Sequence, residues 1–153
     1  MELSKQVCSR QQADRLRELG VTAPSIFYYT IGDKIRVKTT DESPVNNNAV
    51  PILTEDYIEF TCCHAYTVAE LGAMLPDGFT YKGEKSGLRC QHWNKGNDEL
   101  PYYTCTIYPW NSWISATRVF EGNNEAEARA EAVIFFIESK LITPEQCATN
   151  LNH

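Results

Sequence analysis

The sequence predicts a single α+β domain in which an antiparallel β-sheet, built as a hairpin plus a meander, packs against a long C-terminal helix and two shorter helices. Three observations lead there. Runs rich in aromatic and β-branched residues cluster together instead of alternating strictly with helical segments, which favours an antiparallel sheet over a parallel one. Near the C-terminus Ala126, Ala130, Val133, Ile137 and Leu141 recur at helical spacing. A length of 153 residues, 42% of them apolar or aromatic, suits one domain spanning 1–153 and leaves little for a second. A chain of this length hides enough surface to be stable without a disulfide or a metal. Its 22% charged and 11% aromatic content lies far from the composition of disordered chains.

Each element has its own signal. Ser9 is a helix cap, Ala13, Leu16 and Leu19 form one stripe, and Gly20 suits the left-handed stop, so a helix is expected over about residues 10–19. Ile26 to Ile31 and Lys34 to Thr40 read as two strands joined at Gly32 and Asp33. In the second run Lys34, Arg36 and Lys38 share one face, which is expected to be basic and wet. Prolines and three consecutive asparagines make residues 41–55 a long irregular loop. Tyr57 to Cys62 is a short strand, and Thr67 with Glu70 forms a capping box for a helix that Pro76 ends. Phe79 to Lys82, Leu88 to Trp93, Tyr102 to Tyr108 and Trp113 to Phe120 form the meander. Asn123 or Asn124 caps the long helix, and Thr143 with Pro144 opens a last helical turn. Ala132 to Ile137 is apolar all round. This helix therefore needs cover beyond one sheet contact, from the first helix, the C-terminal turn or a second copy.

Three stretches together resemble a family of small proteins encoded by phages and prophages of gut Bacteroidetes. They are Val7, Cys8, Ser9 with Leu16, Glu18, Leu19, Gly20 and Val21, followed by Ser25, Ile26, Phe27 and Tyr28; Tyr66 to Gly72 with Met74, Leu75 and Pro76; and Glu125 to Ala130 continuing to Ile137, Glu138, Lys140, Leu141 and Ile142. The matching positions are helix caps and core stripes spread over most of the chain, and Tyr29 departs from the Trp frequent in relatives. The resemblance implies a phage or mobile-element origin. It carries over no activity and no catalytic residue.

Fourteen basic against twenty acidic residues give a net charge of −6, which disfavours bulk duplex binding. Residues 41–80 hold seven acidic groups and no Lys or Arg. No secretory pattern opens the chain and no apolar run approaches bilayer length, so the expected location is the cytoplasm of a host cell, without membrane attachment. The six cysteines, Cys8, Cys62, Cys63, Cys90, Cys105 and Cys147, are accordingly expected to be reduced.

Candidate chemistry is thin. Cys62, Cys63 and His64, with Cys90 and His92, lack zinc-ligand spacing and read as core residues; no metal or cofactor is expected. Cys8 stands before a helix start, where the dipole lowers a thiol pKa, but core anchoring explains it more simply. Gly83 to Gly87 lacks phosphate-loop spacing and reads as a hairpin loop. The informative feature is aromatic. With a two-residue turn at Asn111 and Ser112, Trp110 opposes Trp113, Tyr108 opposes Ser115 and Thr106 opposes Thr117 on one sheet face, while Tyr103, Ile107, Ala116 and Phe120 take the core face. The expected binding set is Tyr102, Tyr108, Trp110 and Trp113 with the basic strand Lys34, Arg36 and Lys38. The first expectation is a non-enzymatic protein-interaction module that binds a protein partner or its own copy. The alternatives are a single-stranded nucleic-acid binder using the aromatic face with the basic strand, and a cysteine- or zinc-dependent enzyme.

Overall fold

A computed structural model describes residues 2–30, 32, 34–37, 51–53, 58–93, 102–111 and 117–151. The fold is α+β, with two four-stranded antiparallel sheets and four α-helices. The predicted hairpin and meander thus belong to separate sheets.

A short 3-10 turn, Leu3–Lys5, precedes helix α1, Arg10–Glu18. The Ser9 hydroxyl accepts from the Gln12 N–H at 3.2 Å, and the Gln12 side chain accepts from the Ser9 N–H at 3.1 Å, so both orphan donors are satisfied. Gly20, at φ +94°, ends the helix in the left-handed conformation expected of it.

The first sheet has the order β2-β1-β4-β3, with β1 at Phe27–Thr30, β2 at Ile35–Val37, β3 at Pro51–Leu53 and β4 at Ile58–His64. Strand β3 corrects the predicted loop at 41–55: Ile52 pairs with Glu59 in an edge ladder. Three residues are too few to show periodicity, and a proline is tolerated at the start of an edge strand. Residues 41–50, 54 and 55 of that loop lie outside the described residues. Helix α2, Val68–Met74, starts with the predicted capping box, Thr67 accepting from the Glu70 N–H and Glu70 from the Thr67 N–H.

The second sheet has the order β5-β6-β7-β8, with β5 at Phe79–Tyr81, β6 at Glu84–Trp93, β7 at Tyr102–Pro109 and β8 at Arg118–Gly122. The hairpin between β5 and β6 is a two-residue turn, Lys82–Gly83, both with positive φ, so Glu84 to Gly87 are strand and not loop. The β7 to β8 register also differs from expectation. Thr106 pairs with Val119 and not Thr117, and Ser112 of the expected turn lies outside the described residues. Trp110 extends the β6–β7 ladder instead, its N–H bonding to the Lys85 carbonyl at 2.9 Å and its side chain turning across β6. A slip of two residues keeps the described side chains of these strands on their predicted faces, because the strand period is two. Phe120 and Ile107 are buried together as expected.

One expectation about the cysteines is overturned. Cys90 and Cys105 sit directly opposite in the β6–β7 ladder and form a disulfide. Strand pairing at this register brings two side chains of one face into bonding range, which spacing of 15 in the sequence does not reveal. Cys8, Cys63 and Cys147 are free and buried.

Helix α3, Glu125–Glu138, lies on one face of the second sheet and is followed by α4, Pro144–Leu151. Phe136 meets Phe79 edge-on at 4.8 Å, and Phe135 meets Phe120 at 5.3 Å and Tyr81 at 5.9 Å. The other side of α3 is covered by α1, as one expectation had it, and by α2, while α4 packs on α2. Gly122 lets the end of β8 approach α3: a Cβ there would stand 2.5 Å from the Ala128 nitrogen. No described helix is long and apolar enough to cross a membrane.

Candidate binding face

With α3 on the inner face of the second sheet, strand alternation assigns the opposite face to Thr80, Lys85, Gly87 and Arg89, with Thr106, Tyr108 and Val119 beside them. Among the described elements α3 alone packs appreciably on this sheet. The outer face is centred on Trp110, which remains 55% exposed, with Val119 48% exposed at the β8 edge.

Trp110 is held in place from below. A Cβ at Gly78 would stand 2.6 Å from its ring, and one at Gly87 would stand 3.1 Å from its indole nitrogen. Two glycines therefore form the seat on which one side of the indole rests. The Lys85 ammonium stands 6.0 Å from the ring centroid. Arg89 is exposed two residues beyond Gly87 on the same face. Tyr108 and Tyr102 are half-buried, opposite Gly87 and Trp93 in the ladder. Thr104 and Thr106 are buried in the central strand, where Gln91 with Glu121, and Arg89 with Val119, flank them from the neighbouring strands.

The predicted site is only partly gathered. Tyr102, Tyr108 and Trp110 share this sheet, but Lys34 and Arg36 belong to the edge of the first sheet, where Arg36 pairs with Tyr28. Lys38 and Trp113 lie outside the described residues, as do Ser115 and Ala116. The cations of this face, Lys85 beside Trp110 and Arg89 further along β6, were not singled out from the sequence. Their alternation along β6 was the available signal, masked by reading Gly83 to Gly87 as a loop.

The cysteine and histidine candidates are dispersed. Cys90 is tied up in the disulfide, and His92 stacks on Tyr103 at 4.6 Å. Cys63 and His64 belong to the other sheet, and among the described residues no three His, Cys, Asp or Glu gather as a metal site. Burial pushes the Cys8 thiol up to about 12, opposite to the lowering a nucleophile needs. Its role is that of a core anchor. Cys63 donates to Asp14 at 3.4 Å, and Asp14 also pairs with Arg10 and Arg17, which ties α1 to the first sheet.

A cleft of about 920 Å³ opens where the starts of α2 and α3 meet the N-terminal turn and Tyr103. Its capping groups are engaged: Thr67 accepts from Glu70, Asn124 accepts from Glu127, and the Asn124 amide donates to the Ser4 carbonyl. The sequence showed both caps but not that they lie side by side.

In comparisons with known proteins, the chain matches no family model, no curated protein and no solved structure.

Proposed function

We propose that the chain is a non-enzymatic protein-interaction module of phage or prophage origin, working through the outer face of the second sheet. The observation that carries this reading is the seating of Trp110 on Gly78 and Gly87 with more than half of its surface left open. An aromatic side chain already fixed in one position gives up little further freedom on binding, which is how anchor residues of interfaces concentrate affinity. The single-stranded nucleic-acid reading loses its basic strand, since Lys34 and Arg36 stand in the other sheet. The phage origin rests on the three stretches of resemblance and is tested by the neighbouring genes.

The experiment is site-specific photo-crosslinking in the host cell. A photoreactive residue at Val119 or Thr80 is expected to give a discrete adduct that Trp110→Ala abolishes, while the same probe at Lys140 gives none. Adducts that ignore position, or survive loss of Trp110, would overturn the reading. The host cytoplasm is kept as the proposed location, although thiol buffers there hold most disulfides reduced and the fold carries the Cys90–Cys105 link. Acid quenching of cells followed by alkylation tests this; finding the pair oxidised at the moment of quenching rejects that compartment.

A further inference from the structure

We infer that the outer face takes an acidic, extended segment of a partner protein, with carboxylates against Lys85 and Arg89 and an apolar side chain on the open side of Trp110. This rests on the reading that the face is an interaction surface, and adds what it binds.

The whole chain carries −6, yet the β5–β6–β7 part of this face presents two exposed cations among neutral neighbours: Thr80 faces Lys85, Tyr108 faces Gly87, and Thr106 faces Arg89. Neither Lys85 nor Arg89 forms an ion pair among the described residues. Two acidic residues flank this part of the face among the described ones: Glu121, two strands away on β8, and the exposed Asp77, whose backbone carbonyl stands 3.8 Å from where a Cβ of Gly87 would be. Among the described residues the strand positions of this patch are basic on a molecule of net negative charge, which favours an acidic partner there. Lys85 and Arg89 are four residues apart on one strand, about 13 Å. A peptide laid along β6 in extended form places side chains i and i+4 at the same separation and on the same side. Trp110 stands in the Lys85 row of the sheet, so an apolar residue next to the first carboxylate reaches the exposed indole.

The probes are a glutamate–tyrosine copolymer, a lysine–tyrosine copolymer and an oligothymidylate, each titrated into the isotopically labelled full chain at two ionic strengths. Binding of the glutamate–tyrosine copolymer alone is expected, with amide shifts confined to residues 85–89 and 108–110 and affinity falling with salt. Joint Lys85→Glu and Arg89→Glu substitution is expected to weaken it roughly tenfold, and Trp110→Ala similarly, while Lys5→Glu leaves it unchanged. These substitutions are on exposed positions, and a melting curve checks each fold; the wild-type titrations decide the question alone if a variant fails. Preference for oligothymidylate at the same residues overturns the inference in favour of a nucleic-acid strand. Concentration-dependent shifts of these residues without any probe overturn it in favour of a second copy. No response to any probe rejects an acidic partner, and the crosslinking experiment at Val119 and Thr80 then decides separately whether the face binds protein at all.

Discussion

Gly122 is the residue at which the molecule has least room. Its hypothetical Cβ would lie 2.5 Å from the Ala128 nitrogen and 2.9 Å from the Glu127 carbonyl carbon, both backbone atoms that cannot step aside. Gly122→Ala is expected to cost roughly 1–3 kcal/mol, read from the urea midpoint. The seat of Trp110 behaves differently, because the obstructed atoms belong to a surface side chain. Gly78→Ala is expected to leave the melting temperature nearly unchanged and to shift Trp110 emission towards the red as the ring is pushed into water. The buried thiols give a pH signature. Burial raises Cys147 from 9.0 to about 11 and Cys8 to about 12. A thiol held neutral in the folded state binds a proton that the unfolded chain has released, so stability is full below pH 9.0 and falls as pH rises to about 11 and beyond. Urea melts across that window should show the decline, and Cys147→Ala should flatten part of it.

Among the elements, the β6–β7 hairpin is fastened twice, by eight ladder pairs and by the Cys90–Cys105 link. A cross-link closing a loop of 15 residues contributes about 2–4 kcal/mol. Reduction of the oxidised protein is expected to lower its stability by about that amount without changing its far-ultraviolet spectrum, and denaturing thiol titration should find two fewer groups before reduction than after. Helix α3 shows how caps fix an element's ends: Asn124 accepts from the Glu127 N–H at 2.8 Å, and the helix stops at Glu138, short of the predicted 141. Leu141 still reaches the apolar stripe from beyond the helix end, since its N–H bonds to the Phe136 carbonyl. The register of β7 with β8 was legible only to within two residues, because alternation specifies the face and the turn specifies the pairing.

At the scale of the whole molecule, the apolar girth of α3 is satisfied within one chain. Phe136 is fully buried against Phe79, and α1 and α2 close the other side. Phe136→Ala is therefore expected to cost about 3–5 kcal/mol, and Phe136→Asp to unfold the monomer. Light scattering and thermal melting together check this; a wild-type dimer split by Phe136→Asp into folded monomers would show that α3 is an assembly surface. The sequence by itself determined the fold class, the starts of α1, α2 and α3, and the core face of the meander, because caps and periodicities are local and are written in neighbouring residues. Tertiary structure alone decided three things. It divided the strands between two sheets, which separates Lys34 and Arg36 from the aromatic face, and it paired Cys90 with Cys105. It also placed Lys85 beside Trp110, with Arg89 further along the same face. Each of these depends on which distant strands find one another, and the energy that selects a strand partner is spread over a whole ladder and its buried face, not held in any one motif.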